Sequence, residues 1–352
     1  DYNCYQSKAW RHCLLDAYDR MADQNTLSYC DPQGLPELRR ELANYLHFSR
    51  GVRCCADQII LTSGHQYSLS LVARLFSGGN WKFAMEEPGY DGTRTVMQQN
   101  RFSPIPIPLE KDGVSIAETE RLSHTLLYIT PSHQFPMGSV LPITKRLALL
   151  QWAAKSDSYI LEDDYDSELR YHSLPIPSLQ SIDTNDRTIY MGTFSKSLSP
   201  DLRIAYLVLP EQLLGRYRTA FPCANCTVPS LLQDALMQFL HSGEYQKHIN
   251  AIRTHCRKKH DYILNYVREN LSGQAVLSGS DAGLHFILTL QHDFRGSDPI
   301  QVFAENRVKI YPLSPYWNTP ASCPANQFLL GYGSISLMEL PLAMAAIRTT
   351  ID

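Results

Sequence analysis

The sequence predicts an α/β fold: a mostly parallel seven-stranded sheet flanked by helices, followed by a smaller α+β C-terminal domain. Three observations carry this. Short apolar runs alternate with helical patterns through the middle of the chain, which is the pattern of parallel strands buried on both faces. After Pro210 the alternation gives way to long helical stretches with a few strands. With 352 residues, 44% hydrophobic and 19% charged, the chain has material for a large domain with a companion and is too apolar for disorder.

The first strong helix starts at Pro36 and Glu37, which suit a first turn; Leu38, Leu42 and Leu46 repeat at four-residue spacing and Gly51 ends it. Strands are expected at Gln58–Thr62, Lys82–Met85, Phe102–Ile107, Thr125–Ile129, Ser158–Glu162, Thr188–Thr193 and Ala205–Leu209. Helices are expected between them, at Gln66–Phe76, Asp91–Gln99 and Thr144–Lys155. Beyond Pro210 a helical stretch runs from Leu231 to Glu269, broken near Gly243. Strands Leu284–Leu290, Val308–Tyr311 and Gln327–Tyr332 and helices Pro299–Asn306 and Leu337–Thr349 complete the small domain. Asn306 is expected to take a left-handed turn, and the basic run Arg253–His260 to form a solvated helix face. The expected division is an N-terminal arm at 1–28 lying against the small domain, a large domain at 29–225 and a small domain at 226–352.

The formal charge of −3 and the pI of about 6.5 argue against a nucleic-acid grip within these residues. Nine cysteines, an odd number, include one lone CxxC pair at Cys223 and Cys226. They read as reduced thiols of a cytoplasmic protein, and no metal site is expected. No apolar run is long enough for a membrane span and no signal peptide opens the chain. The first residue is Asp1 rather than Met, so a longer parent protein is expected.

Three segments carry chemistry, and each follows a predicted strand, where ligands of open α/β sheets bind. Lys196, in Thr193-Phe194-Ser195-Lys196, is placed at a strand end in a cleft, where desolvation makes an amine nucleophilic; the bland alternative is a solvated surface lysine. Glu162-Asp163-Asp164-Tyr165-Asp166 sets four carboxylates in five residues, which need cations, hydrogen bonds or a metal beside them. A Mg²⁺ site or a solvated acidic loop remains open for that segment. Thr62-Ser63-Gly64-His65-Gln66 is a small-residue turn leading into a helix N-terminus, a place for an anion.

Taken together with their neighbours, these segments resemble the fold type I enzymes that use pyridoxal 5′-phosphate (PLP), the aminotransferase fold. They are most similar to the aminotransferase-like, effector-binding domain of MocR/GabR-family transcription regulators. The resemblance rests on Tyr29-Cys-Asp-Pro-Gln-Gly-Leu-Pro-Glu-Leu-Arg39, Ser49-Arg-Gly-Val52, Thr62-Ser-Gly-His-Gln66, Glu87-Pro-Gly-Tyr90, Thr130-Pro-Ser-His-Gln-Phe-Pro-Met-Gly138, Glu162-Asp-Asp-Tyr-Asp-Ser-Glu168, Gly192-Thr-Phe-Ser-Lys196, Pro200-Asp-Leu-Arg203 and Gly243-Glu-Tyr-Gln-Lys-His248, in family order. It implies Lys196 as the Schiff-base lysine, Asp163 as the partner of the pyridine nitrogen and Tyr165 as the partner of the ring hydroxyl. Tyr90 matches the stacking aromatic. Ser63, Gly64, His65 and Gln66 match the phosphate turn, with Ser195 and Arg203 as further phosphate contacts. Tyr29 matches a residue that reaches the neighbouring subunit's phosphate, which implies a homodimer.

The chain departs from the enzymes in two places. By alignment, Leu329 stands where they carry an Arg that clamps the substrate carboxylate, and Phe135 where many carry an Asn at the ring oxygen. An apolar residue does not replace a bidentate guanidinium, although Arg94 and Lys309 are candidate substitutes. Full turnover is therefore open. The resemblance implies a sensor whose Lys196-bound PLP is exchanged by an amino compound such as GABA, taurine or D-alanyl-D-alanine, or which senses PLP itself, with DNA held by a domain outside this chain. A free-standing PLP-dependent aminotransferase is the alternative, and a cofactor-free protein binding metal in its acidic loop a third reading.

Overall fold

A computed structural model describes residues 7–24, 30–172, 176–291, 294 and 298–351. The large sheet contains β1 (Ile59–Thr62), β2 (Lys82–Glu87), β3 (Pro104–Glu110), β4 (Gly113–Val114), β5 (Thr125–Ile129), β6 (Tyr159–Asp164), β7 (Thr188–Thr193) and β8 (Ala205–Val208), in the order β1-β8-β7-β6-β5-β2-β3-β4. Strands β3, β2, β5, β6 and β7 pair in parallel. Strand β8 runs antiparallel between β1 and β7, so β1 points the same way as β7. The seven expected strands are joined by β4, a two-residue antiparallel edge too short to read from periodicity.

The sheet is buried on both faces because its strands are apolar at successive positions. Leu126 and Tyr128 of β5 enter one core with Leu69, Val72 and Leu161, while Leu127 and Ile129 enter another with Leu149 and Ile160. Full burial of a side chain of this size contributes about 2 kcal/mol, and the two-residue alternation sends neighbours to opposite layers.

The helices in chain order are α1 (Lys8–Gln24), α2 (Pro36–Arg50), α3 (His65–Leu75), α4 (Asp91–Gln99), α5 (Ile116–Thr119), α6 (Ile143–Lys155), α7 (Leu179–Ile182), α8 (Glu211–Ala220), α9 (Ser230–His241), α10 (Glu244–Asn270), α11 (Pro299–Glu305) and α12 (Leu340–Ile351). In α2, Leu38, Leu42 and Leu46 are all fully buried, and Gly51 ends the helix at φ 69°, a conformation glycine adopts at little cost. A second sheet, ordered β11-β12-β10-β9, is built from β9 (Ala275–Ser278), β10 (His285–Leu290), β11 (Tyr311–Pro312) and β12 (Gln327–Gly331). Its core gathers Ile263 and Val267 of α10 with Phe286, Leu288, Phe303 and Met344.

Packing places α1 on α9, and Trp10 of α1 shares a core with Leu38, Leu61, Tyr206 and Phe239. The start of α10, at Tyr245 and Ile249, joins that same core, and the second sheet takes over from Ile263 onward. The division at 225/226 therefore stands as a proposal in which α9 and α10 bridge the two bodies. Three local expectations are corrected. Val308 and Ile310 are buried without a ladder, and only Tyr311 and Pro312 of the expected strand pair. Arg307 at φ 61°, not Asn306 at φ −89°, makes the left-handed turn. In the basic run, Lys259 and His260 are buried, and the Lys259 ammonium donates to the Gly333 carbonyl at 3.2 Å.

Candidate functional site

Strands β1, β2, β5, β6 and β7 all end at the same edge of the sheet, and the segments leaving them enclose a cavity of about 400 Å³. From β1 come His65 and Gln66; from β2, Tyr90; from β5, Tyr128, Thr130 and Phe135; from β6, Asp163 and Tyr165; and from β7, Thr193, Ser195 and Lys196. Arg203, just before β8, closes the ring. Segments separated by over a hundred residues thus converge because parallel strands present their carboxyl ends together.

Asp163 is the acid of this cavity. It is 4% exposed; its Oδ2 accepts the Tyr128 hydroxyl and lies 3.3 Å from His65 Nε2. Its Oδ1 is buried with no hydrogen-bond partner among the described residues. Burial pushes the Asp163 carboxyl above its ordinary range, against the opposing pull of His65 and Tyr128. A buried acceptor left unpaired costs roughly 1–3 kcal/mol, and a cationic N–H is the partner that relieves it best.

At the other end, Gly64 sits at φ 98° ahead of α3, and a Cβ there would meet the Arg203 guanidinium at 2.3 Å. Only glycine allows this approach. The His65 and Gln66 amides open the helix, where no helical carbonyl reaches them. Arg203 is itself left-handed at φ 51°, an uncommon conformation for a side-chain-bearing residue and a mark of functional positioning. The guanidinium and the helix N-terminus together suit a dianion.

Lys196 lies on the cavity wall but is exposed, so the burial expected of it is not what the structure shows; its side chain sits in the turn beyond β7, at the mouth. The Tyr90 ring stands edge-on to Phe135, centroids 5.8 Å apart. The Tyr165 hydroxyl rests 3.0 Å from His133 Nδ1, which also holds Asp166 at 2.7 Å. The Ser195 amide meets the Thr193 hydroxyl at 3.1 Å, and the Thr193 hydroxyl donates to Ser195 Oγ at 3.0 Å. The Ser63 amide is spent on Thr227 Oγ1 at 3.0 Å, and Ser63 does not line the cavity. Tyr29 lies outside the described residues.

The acidic run that closes β6 and continues past it to Asp166 is neither a solvated loop nor a single cluster. Alternation along the strand separates its members: Glu162 accepts the Leu179 and Gln180 amides, and Asp164 holds Arg50 at 2.6 Å and the Tyr190 hydroxyl at 2.5 Å. Below the cavity floor, Glu86 is 3% exposed and accepts the Thr130 amide and hydroxyl. Burial, outweighing those two bonds, raises the Glu86 carboxyl from 4.5 to about 7. A raised carboxyl binds its proton more tightly folded than unfolded. Its stabilising share is thus full below pH 4.5 and is lost as pH rises through about 7, roughly 3 kcal/mol in all. Glu86→Gln is expected to flatten that part of the stability profile, as measured by denaturant titrations from pH 5 to about 8.

A second cavity of about 280 Å³ adjoins the first through Phe135, Tyr165 and Lys196, and is walled by His285, Tyr316 and Leu329. Leu329 is packed with Ile287 and Leu313 in an apolar cluster. Arg94 does not reach this cavity. Its guanidinium donates to the Pro315, Tyr316 and Trp317 carbonyls at 3.0, 2.8 and 3.3 Å and faces Glu87 at 3.6 Å. The Lys309 ammonium lies over the Tyr311 ring, 4.9 Å from its centroid. Sequence reasoning missed Tyr128 and His285, which lie in apolar runs, and gave no role to Thr130 and His133, which stand in the Thr130–Gly138 segment but meet the site only through folding.

Residues 1–312 match the family described as aminotransferase class I and II. The chain is 38% identical over 99% of its length to the uncharacterized HTH-type transcriptional regulator YhdI of Bacillus subtilis, covering 74% of that protein. It is 32% identical over 96% of its length to the probable rhizopine catabolism regulatory protein MocR of Rhizobium meliloti, covering 68% of it. Among solved structures, the kynurenine aminotransferase of Pyrococcus horikoshii superposes with a TM-score of 0.84 at 23% identity, over 98% of this chain and 86% of that one, which is a likeness of fold.

Proposed function

Because this chain belongs to the aminotransferase class I and II family, in its branch of HTH-type transcription regulators, we propose that it senses an amino compound through PLP held at Lys196. The cofactor is PLP, as the family implies. Bound PLP supplies an aldehyde that condenses with amines and a ring that draws electrons when its nitrogen is protonated. The unpaired Oδ1 of Asp163 would hold that nitrogen's proton, and the Gly64 turn with His65, Gln66, Ser195 and Arg203 would hold the phosphate. Tyr90 would cover a ring face, Tyr165 would meet the ring hydroxyl, and Lys196 would present the amine.

The observation that carries sensing over turnover is the second cavity. Leu329 there is embedded among apolar side chains and Arg94 is committed to three carbonyls and a carboxylate. An aminotransferase orients its substrate by clamping the carboxylate, and orientation is a large share of its rate. Here neither Leu329 nor Arg94 offers that clamp to the second cavity. A ligand shifts such a domain only by its differential affinity for two conformations, so release of Lys196 is the natural trigger. We place the protein in the cytoplasm as a homodimer whose DNA contacts belong to the part of such regulators that these residues do not match. No described helix is long and apolar enough to cross a membrane.

Spectral titration of the PLP-loaded protein tests this reading. An effector amine, tried among GABA, taurine and D-alanyl-D-alanine, is expected to shift the visible band saturably while added keto acid produces no steady turnover. Sustained turnover with an amino donor and a keto acid would establish the free-standing aminotransferase instead.

A further inference from the structure

Outside the cofactor cavities, a second group of metal-type side chains comes together where the segment following β6 crosses α10. His172 Nε2 lies 2.7 Å from Asp261 Oδ1, and His260 Nδ1 lies 2.9 Å from the same oxygen. One potential ligand atom from each of the three residues falls within 4.8 Å of the others. We propose that His172, His260 and Asp261 bind one divalent transition-metal ion of the zinc type, with solvent completing the shell.

The convergence of the three side chains carries the argument, and the second nitrogen of His260 fixes its aim. Its Nε2 is 2.8 Å from the Ser280 carbonyl, which only accepts, so Nε2 bears a hydrogen. The ring is 1% exposed. Nδ1 is then the ring nitrogen turned toward the Asp261 carboxylate, 2.9 Å from Oδ1, and is the atom placed to bind a cation. A metal ion that displaces the bridging proton can draw on this imidazole, the carboxylate and His172 together. A carbonyl on the far nitrogen is also how protein frames fix the tautomer and aim of a metal-bound imidazole. Two imidazoles and one carboxylate leave an open position and select borderline transition ions over Mg²⁺ or Ca²⁺.

Access is present on one side. His172 and Asp261 line an open groove of about 680 Å³, together with Asn265 one turn further along α10. The frame is firm on the other side. Tyr171 donates to the Gly283 carbonyl at 2.6 Å, and its ring lies 4.8 Å from that of His260. His172 stands 89 residues before Asp261 along the chain, so no spacing motif announces the set. An ion here ties the segment that begins at Asp163 and Tyr165 to the helix shared by both bodies, and so stiffens the frame in which the cofactor acid sits.

The test uses the whole, thiol-reduced protein and the metals alone. Calorimetric titration with Zn²⁺ is expected to show one saturable equivalent that raises the melting temperature. Co²⁺ should give visible d–d bands without thiolate charge transfer, which separates this site from the cysteines. His172→Ala and Asp261→Asn, both at exposed or half-exposed positions, should each lower affinity at least about tenfold while the unliganded protein melts as before. Absence of saturable binding, equal affinity in either variant, or a thiolate signature would overturn the proposal. The last two would also leave the PLP reading untouched, because the readouts do not depend on the cofactor.

Discussion

Lys196→Ala is expected to abolish the covalent visible band of the PLP-loaded protein and to weaken cofactor binding about 10²-fold, roughly 3 kcal/mol. The phosphate and ring contacts remain, so PLP should still bind as a free aldehyde, with its spectrum in place of the shifted one. The fold should be unaffected, since Lys196 is exposed at the cavity mouth and ends no buried network. Absorbance spectra and equilibrium dialysis check both parts. A variant that keeps the covalent band would remove Lys196 from the role proposed for it. Amines that shift the parent's spectrum should also leave the variant's transcriptional response flat if exchange at this nitrogen is the trigger.

The second large effect runs in opposite directions for binding and for stability. Asp163→Asn keeps an acceptor for the Tyr128 hydroxyl but removes the charge that would pair with a protonated ring nitrogen. A charge-assisted bond is worth about 1.5–3 kcal/mol, so PLP affinity should fall about 10- to 100-fold, and the absorbance should move to that of an unprotonated ring. The cofactor-free protein should melt at the same temperature or higher. Its buried carboxylate is pushed up by desolvation and has an unpaired oxygen, both of which cost stability in the fold. Binding sites commonly carry such strain. Equal losses in binding and in cofactor-free stability would mark Asp163 as a structural residue instead. Differential scanning calorimetry with and without PLP separates the cases.

Much of the site was legible because it is written in short segments at strand ends. Thr62–Gln66, Glu162–Asp166 and Gly192–Lys196 each follow an apolar run that the structure forms as a strand. What was hidden depends on partners distant in sequence. The acidic run at the end of β6 reads as four clashing charges, yet Arg50, the Leu179 and Gln180 amides, Tyr128 and His133 between them take all four. Arg94 read as a spare cation until its three carbonyl partners near Tyr316 came into view. The burial of Lys259 and His260 within a basic run has the same origin, because a helix packed on both sides has no single solvated face.

By itself the sequence determined the order of the elements, the two-sided burial of the sheet and many of the side chains that gather at its carboxyl edge. These follow from periodicity and from which residues stand at strand ends, and both are local. Only the tertiary structure decided which carboxylate oxygens are left unpaired, whether a guanidinium is free or spent, and that His172 meets His260. Those outcomes depend on the distances and hydrogen-bond partners that packing brings together across more than a hundred residues, and no local pattern encodes them.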